Sequence, residues 1–260
     1  MEAWVGDAAD VDRHGAQLVI DWLADARRAG RRAPTVMPAL GRSALGIYRE
    51  LGAARAAGRL DTSHIRLVQL DEYLGLETGD RRSLLGWLRR DVAAPLGVGD
   101  DAIIGWSVER GDATTAAVSY DRAVAEAGGI DVAVLGLGPN GHLGFNEPPS
   151  GRDAASRSVV LTSASLESNA GYCGSRGDVP KEAMTAGMGT ILAARRVLLV
   201  VHGDAKRSIL GRVLDDPVSA DLPASFIRDH GAATILADLE AWGPERPRPS
   251  LARGWPAASL

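Results

Sequence analysis

The sequence predicts a three-layer α/β/α domain with a mostly parallel central sheet, and two observations support this Rossmann-like class. Short apolar segments alternate along the chain with longer segments whose apolar residues recur at helical spacing. This alternation is typical of a parallel sheet covered by helices on both faces. With 260 residues, 45% of them hydrophobic, the chain is also long enough to bury one substantial core.

The elements follow in order from the first residues. Apolar residues at Leu18, Val19, Trp22 and Leu23 predict a helix that opens the chain. Further helices are predicted at 43–57, 83–94, 113–127 and 204–214, and strands at 33–40, 65–70, 131–136, 195–201 and 232–238. No linker divides residues 1–243, so we expect one domain. Residues 244–260 are rich in Pro and Arg and are expected to form a flexible or surface-bound tail.

Composition excludes several classes of protein. The net charge of −4, with both signs interspersed, argues against nonspecific nucleic-acid binding. The chain has no apolar stretch of 18 residues and no apolar core of a signal peptide near its start, so we expect a cytoplasmic protein without a membrane span. Cys173 is the single cysteine, which excludes an intrachain disulfide. His14, His64, His202 and His230 have no partner at metal-ligand spacing, so we expect no metal.

The segment GLGPNGHLGFNEP, residues 136–148, is the most informative part of the chain. It follows the predicted strand 131–136, and open α/β sheets bind ligands at the carboxyl ends of their strands. Gly136 and Gly138 are candidates for the wall of a pocket, because glycine lets the backbone approach a ligand closely. His142 and Glu147, five residues apart and near Asn140, are candidates for passing protons to and from a bound molecule.

A second segment has the same design. Residues 65–70 read as a buried strand, and DEYLGL, residues 71–76, begins where that strand ends. The adjacent carboxylates of Asp71 and Glu72 are costly to desolvate unless the protein uses them. Desolvation raises the pKa of a carboxyl group toward the range useful for a general base.

These two segments together resemble the glucosamine-6-phosphate deaminase/isomerase family. The segment TAGMGTIL, residues 185–192, is similar to a Thr-x-Gly-x-Gly-Thr segment of that family. The strand VLLVV followed by HGDAKRSIL resembles its strand, glycine and lysine-bearing helix. The resemblance extends in order from about residue 35 to residue 239, most of the chain. It implies an enzyme that isomerises and deaminates an amino-sugar phosphate without a cofactor.

The resemblance implies a role for each matching residue. Asp71 aligns with the aspartate that removes a proton from the opened sugar, and His142 aligns with the ring-opening histidine. Glu147 aligns with the glutamate of the same proton relay. Asn140 stands where some members have Asp, and we expect it to support the relay by orienting the His142 ring through a hydrogen bond.

The substrate anion is expected between two loops. Lys206 aligns with a phosphate-binding lysine at the start of a helix, where anions bind well. The first glycine loop of the family typically reads Thr-Gly-Gly/Ser-Thr/Ser-Pro, but residues 40–44 read Leu-Gly-Arg-Ser-Ala. Gly41 is a wall candidate, and Ser43 is a candidate helix N-cap and phosphate donor. Arg42 can clamp an anion or fill space needed by the usual substrate.

Another departure concerns the helix that covers the site in this family. The arginine of that helix, which grips the phosphate, aligns with Gly171, and we hypothesise that Arg42 compensates for it. The basic residues of the allosteric site in some members fall on small or apolar residues near Val159. Because of these differences, the substrate can be an amino sugar other than glucosamine 6-phosphate. The sequence does not decide the oligomeric state, since the family includes monomers, trimers and hexamers.

Other interpretations of the same residues remain. Glu72 is a candidate substrate ligand beside Asp71, but the two residues can also cap a turn, with Glu72 binding loop N–H groups instead. His142 can be a structural histidine, and Lys206 and Arg42 can be solvated surface residues. Sugar-phosphate lactonases share a similar Gly-rich loop with a histidine, so a lactonase is the alternative enzyme. A sugar-phosphate sensor without catalytic activity is the alternative binding protein.

Overall fold

The computed structural model describes residues 1–77, 79–107 and 112–249 of the chain. Its strands are β1 Glu2–Gly6, β2 Thr35–Pro38, β3 Arg66–Val68, β4 Asp71–Tyr73, β5 Ile103–Ile104, β6 Val132–Gly136, β7 Arg157–Val160, β8 Glu182–Thr185, β9 Arg196–Val201 and β10 Ala233–Asp238. Its α-helices are α1 Ala8–Arg28, α2 Leu45–Ala56, α3 Leu84–Trp87, α4 Ala94–Leu96, α5 Ala113–Glu126, α6 Ser163–Cys173, α7 Met188–Leu192, α8 Arg207–Asp215 and α9 Leu239–Trp242. A π-helical segment, Leu88–Ala93, joins α3 to α4, and 3₁₀ turns lie at Asp100–Ala102, Arg176–Asp178, Asp204–Lys206 and Pro223–Asp229.

The central sheet has seven strands in the order β1-β10-β9-β6-β2-β3-β5, and every neighbouring pair is parallel. Successive residues of one strand pack on opposite faces of this sheet. Val132 and Val134 of β6 join the core under α1 and α2, whereas Ala133 and Leu135 join the core under α5 and α8. Burial on both faces explains why these strands are continuous apolar runs rather than alternating ones. The three-layer prediction is therefore confirmed.

The order of the strands fixes where a ligand site can form. From β2 the chain adds β3 and then β5 on one side, and it returns to place β6 on the other side of β2. From β6 it continues to β9 and β10, away from β2. The crevice outside the carboxyl ends of β2 and β6 is thus the topological switch point of the sheet, where open α/β folds bind ligands.

Two features of the fold differ from the prediction. The chain opens with β1 and not with a helix, and β1 completes the edge of the sheet beside β10. Its five residues are too few and too exposed to give a clear strand pattern. The segment after β3 also forms a strand where we expected a loop: β4 pairs with β8, and β8 with β7, in a separate antiparallel sheet of three strands.

The chain end is described only in part. Residues 250–260 of the predicted tail lie outside the described residues, so the tail and the boundary at residue 243 stay predictions. Before that point, Arg246 forms an ion pair with Asp215 of α8, and the Trp242 indole donates a hydrogen bond of 3.2 Å to the Pro247 carbonyl. Within the described residues, no helix has the length and apolar character needed to cross a membrane.

Candidate active site

A cavity of about 660 Å³ lies at the carboxyl ends of the central strands, below α6. Most of the residues singled out from the sequence line it: Gly41, Arg42, Ser43, Asp71, Gly136, Gly138, His142 and Lys206. Three others, Glu72, Asn140 and Glu147, do not reach its wall. The loops after β2, β6 and β9 and strand β4 thus converge on one cavity at the switch point of the sheet.

Asp71 is the first residue of β4 and is held in register opposite Thr185 of β8. Its side chain is buried and faces the cavity. Among the described residues, no group donates a hydrogen bond to its carboxylate. Burial, together with the charge of Glu72, raises the pKa of Asp71 to about 8. This carboxyl group can therefore exchange a proton with a bound molecule close to neutral pH.

Glu72 points away from the cavity and serves the protein. Its carboxylate accepts hydrogen bonds from the backbone N–H groups of Leu84 and Leu85 at 2.9 and 2.8 Å, at the start of α3. The Ser83 hydroxyl and the Gln69 amide donate further bonds at 3.0 and 3.1 Å. Because its oxygens are occupied by these donors, the assignment of Glu72 to substrate binding is not supported, and its alternative interpretation as a ligand of loop N–H groups describes what it does.

The loop after β6 holds His142 through its glycines. The Gly138 N–H donates to the His142 carbonyl at 3.0 Å, and the Gly141 N–H donates to the Gly138 carbonyl at 3.1 Å. A Cβ on Gly138 would lie 2.1 to 2.5 Å from three atoms of the His142 ring. Only glycine lets the imidazole lie directly against the backbone at this position.

His142 and Glu147 form a buried pair, with Nδ1 of His142 3.3 Å from Oε2 of Glu147. Among the described residues no group bonds to Nε2 of this ring, and the ring lines the cavity. Burial on its own would raise the pKa of Glu147, but the His142 hydrogen bond and charge, with hydrogen bonds from Asn140 and Ser165, lower it to about 2. Glu147 is therefore an anion that contacts Nδ1 of His142 and orients the imidazole.

Asn140 acts on the carboxylate of this pair instead of on the ring. Its side-chain amide donates to Oε2 of Glu147 at 2.6 Å, and its carbonyl oxygen accepts from the His142 backbone N–H at 3.3 Å. The expectation that Asn140 bonds directly to the ring was wrong. The side chain lies where its NH₂ group reaches Glu147, so its influence on the imidazole passes through that carboxylate.

Ser165, which the sequence analysis did not single out, completes the group around Glu147. It is buried in α6, its hydroxyl donates to Oε1 of Glu147, and it lies 3.5 Å from Nδ1 of His142. A serine in a helix gives no signal in the sequence that it meets a loop 18 residues earlier.

Two further candidate anion ligands, Lys206 and Ser43, line the same cavity. Burial lowers the pKa of Lys206, and among the described residues this ammonium has no ion-pair partner. Ser43 lines the same cavity, but α2 begins at Leu45 after Ala44, and no side chain caps it. The expectation of a Ser43 N-cap was therefore wrong, because the chain makes a turn before the helix starts. Its hydroxyl has no partner among the described residues and stays a candidate donor to an anion.

Arg42 reaches across the cavity mouth toward α6. Its guanidinium lies 5.5 Å from the centre of the Tyr172 ring, and its backbone N–H donates to the Tyr172 hydroxyl at 3.4 Å. The position of Gly171 is next to this guanidinium, since a Cβ there would come 3.8 Å from Nη2 of Arg42. The side chain that comes from the first glycine loop thus occupies the space beside the glycine of α6.

His202 also lines the cavity, although its spacing in the sequence predicts no functional role. It lies between two carboxylates, with Nε2 3.7 Å from Asp12 and Nδ1 3.7 Å from Asp238. Both distances exceed a hydrogen bond. Asp238 is occupied elsewhere, because it accepts from the Gly203 and Ala241 N–H groups at 2.8 and 2.7 Å. The sequence did contain a signal for this placement, because His202 follows β9 and Asp238 is the last residue of β10, and strand ends meet at the cavity.

Comparison with known proteins decides the family. The model of a family described as glucosamine-6-phosphate isomerases/6-phosphogluconolactonase matches residues 6–236. The chain belongs to this family. A glucosamine-6-phosphate deaminase of Streptomyces avermitilis is 38% identical over 228 residues, 87% of each chain. One of Cellvibrio japonicus is 32% identical and aligns with 91% of this chain and 88% of its own length.

Solved structures of the family agree with this assignment. A structure described as a monomeric glucosamine-6-phosphate deaminase superposes with a TM-score of 0.87 at 28% identity, covering 93% of this chain and 98% of its own. A 6-phosphogluconolactonase from Thermotoga maritima gives a TM-score of 0.71 at 18% identity, covering 91% and 98%, which shows a shared fold. The resemblance stated from the sequence motifs is confirmed.

The site of this family member combines two groups that can exchange protons with positive charge that can bind an anion. Within residues 1–77, 79–107 and 112–249, no three His, Cys, Asp or Glu side chains are grouped to hold a metal ion. The cavity has a carboxyl group with a raised pKa on one strand and an imidazole backed by a carboxylate on the loop of another. A lysine and an arginine on further loops line the same space and supply positive charge for an anionic substrate.

Proposed function

We propose that this chain isomerises an amino-sugar phosphate from aldose to ketose and releases its amino group as ammonia. The observation that carries the proposal is the shared cavity of Asp71 and His142, which come from separate strand ends. A relative 38% identical over 87% of this chain bears the name glucosamine-6-phosphate deaminase, which supports the same reaction.

In the proposed reaction, His142 opens the sugar ring and Asp71 transfers the proton between C2 and C1. His142 takes the proton of the C1 hydroxyl and returns a proton to the ring oxygen, which opens the sugar. Glu147, held ionised, stabilises the imidazolium that forms between these two transfers. Asp71 then removes the C2 proton while the substrate ammonium gives a proton to the aldehyde oxygen, which forms an enolamine, and Asp71 delivers its proton to C1, leaving a protonated imine at C2. Water adds to this imine, the C2–N bond breaks, and a ketose phosphate and ammonia leave.

The phosphate of the substrate is proposed to bind to basic and hydroxyl side chains that line the cavity. Arg42, Lys206 and the Ser43 hydroxyl line the cavity on the loops after β2 and β9. Lys206 is half-buried without an ion-pair partner among the described residues, and an anion would offset the cost of desolvating its charge. We propose that Arg42 supplies the guanidinium that α6 lacks at Gly171, because it extends into the space beside this glycine.

An ammonia-release screen tests the proposed function. The purified chain is assayed on aminohexoses with and without a 6-phosphate, and 6-phosphogluconolactone hydrolysis is measured in parallel. We expect ammonia from a phosphorylated aminohexose and no lactone hydrolysis above the rate of an Asp71→Asn, His142→Gln double variant. Lactone hydrolysis without ammonia release would favour the lactonase alternative, and saturable sugar-phosphate binding without either product would favour the sensor.

A further inference from the structure

Helix α6 covers the cavity but is weakly anchored by apolar contacts. Ser165 is its single fully buried residue, and Leu166 and Cys173 are only partly buried against the neighbouring apolar cluster. The longer helices α1, α2, α5 and α8 each bury several apolar side chains, as α1 does with Val11, Val19 and Leu23. A helix with so little apolar burial depends on its polar contacts for its position.

The deepest of these contacts is the one between Ser165 and the proton relay. The Ser165 hydroxyl donates to Oε1 of Glu147 and lies 3.5 Å from Nδ1 of His142. The other oxygen of Glu147 is occupied by Asn140 and faces His142 at 3.3 Å. Asn140, His142 and Glu147 all belong to the loop after β6, so Ser165 is the one member of this group that comes from α6.

We propose that Ser165 is a positioning residue that ties α6 to Glu147, so that the His142–Glu147 pair is completely assembled only while α6 covers the cavity. This inference rests on the proposed function for its catalytic consequence. Its structural part, the dependence of α6 on Glu147, holds whatever the substrate is.

The carboxyl end of α6 contacts Arg42, which connects the position of the helix to binding of the substrate anion. Tyr172 lies under the Arg42 guanidinium and accepts from the Arg42 N–H at 3.4 Å, and its ring meets the Trp87 ring edge-on at 5.2 Å. One short helix therefore contacts the basic loop at its carboxyl end and the proton relay near its amino end. An anion held by Arg42 would favour the closed helix, so that binding energy from the unreactive phosphate contributes to turnover.

Three single variants separate this role from simple packing. Ser165→Ala removes the hydroxyl, Ser165→Thr keeps it, and Ser163→Ala removes an exposed hydroxyl from the first position of the same helix. We expect kcat of Ser165→Ala to fall about 10- to 100-fold, the loss typical of a hydrogen bond to a charged group. KM should change less than about threefold, since the residue does not reach the substrate. Ser165→Thr should recover most of kcat, and Ser163→Ala should match the parent protein.

Amide hydrogen exchange provides a readout that does not depend on turnover. We expect α6 amides of Ser165→Ala to exchange about tenfold faster or more, with α1 and α5 unchanged. Because coupling is reciprocal, Glu147→Ala should accelerate exchange in α6 as well. Unchanged exchange in both variants overturns the proposal, and so does a folded Ser165→Ala protein whose kcat stays within about twofold of the parent or a Thr variant that recovers nothing.

Failure of the proposed function gives a different pattern. If the parent protein releases no ammonia from any aminohexose phosphate, the reaction assigned above is wrong, yet faster exchange in Ser165→Ala and Glu147→Ala still supports the tie between α6 and the relay. If the parent releases ammonia and the α6 amides of both variants exchange at the parent rate, the reaction stands and the role of Ser165 is rejected.

Discussion

Arg42 and Gly171 lie side by side at the mouth of the cavity, where a Cβ on Gly171 would come 3.8 Å from Nη2 of Arg42. The two residues belong to different elements, the loop before α2 and helix α6. The absence of a side chain on Gly171 leaves the space that the Arg42 side chain enters from the loop. The guanidinium thus reaches the side of the cavity covered by α6, although α6 itself does not carry it.

Arg42→Ala tests whether this guanidinium holds the substrate anion. We expect KM for a phosphorylated aminohexose to rise about 10- to 100-fold, because a charge-assisted hydrogen bond is lost. The rate with the unphosphorylated sugar should not change. Arg89→Ala, which removes an exposed arginine paired with Asp100, is the matched control. Equal KM values for Arg42→Ala and its parent would show that the anion is bound elsewhere.

Whether a guanidinium at position 171 of α6 can replace the one at position 42 can also be tested directly. If the cavity needs one guanidinium whichever side supplies it, adding Gly171→Arg to the Arg42→Ala protein should lower KM again by about tenfold. The same Gly171→Arg change in the parent should impair binding, because its side chain would meet Arg42. Steady-state kinetics of the four proteins form a double-mutant cycle that measures this compensation. Additive effects of the two substitutions would contradict it.

Asp71→Asn tests the proton-abstracting group. Turnover should fall at least about 100-fold, the lower end for loss of a general base. The parent protein should show kcat/KM rising with pH and levelling off above about 8, since burial and the charge of Glu72 raise the pKa of Asp71 to that value. Retained turnover, or a rate that does not depend on pH between 6 and about 8, would remove Asp71 from this role.

The same raised pKa predicts how stability depends on pH. The folded protein holds the Asp71 proton more tightly than the unfolded chain, whose carboxyl pKa is near 3.8. This contribution to stability is present below about pH 4 and is lost as the pH rises through about 8. The free energy of unfolding in urea should therefore fall less steeply between pH 5 and about 8 for Asp71→Asn than for the parent. If the free energy of unfolding depended on pH equally in both proteins, Asp71 would not be buried in its neutral form.

The residues that could be predicted from the sequence are those at strand ends. Asp71 and His142 follow apolar runs, and the carboxyl ends of parallel strands meet at one edge of the sheet, so their convergence needed no knowledge of side-chain contacts. Ser165 could not be predicted. It contacts Glu147 only because α6 packs over the loop after β6, and α6 has almost no apolar pattern from which that packing could be inferred. The three-stranded sheet was missed for a similar reason: β4 has three residues, and its pairing with β8 joins segments more than 100 residues apart.

Gly138→Ala tests whether the backbone of the glycine loop positions His142. The added methyl group would lie 2.1 to 2.5 Å from the ring, so the ring must leave its present position beside Glu147. We expect turnover to fall about 100-fold or more, as when an acid–base group is misplaced. Gly151→Ala is the control, because a Cβ there meets nothing within 4 Å. Circular dichroism confirms folding, and a folded Gly138→Ala protein with normal turnover would contradict the close packing of ring and backbone.

Glu72 should matter for stability and not for the substrate. Glu72→Ala leaves the buried N–H group of Leu84 and the half-buried N–H group of Leu85 without their acceptor at the start of α3. Each unsatisfied donor costs about 1–3 kcal/mol, so the free energy of unfolding in urea should fall by at least about 2 kcal/mol. Glu72→Gln, which keeps one acceptor oxygen, should lose less. KM of the folded variants should stay near that of the parent, and a KM raised more than about tenfold at unchanged stability would return Glu72 to the binding site.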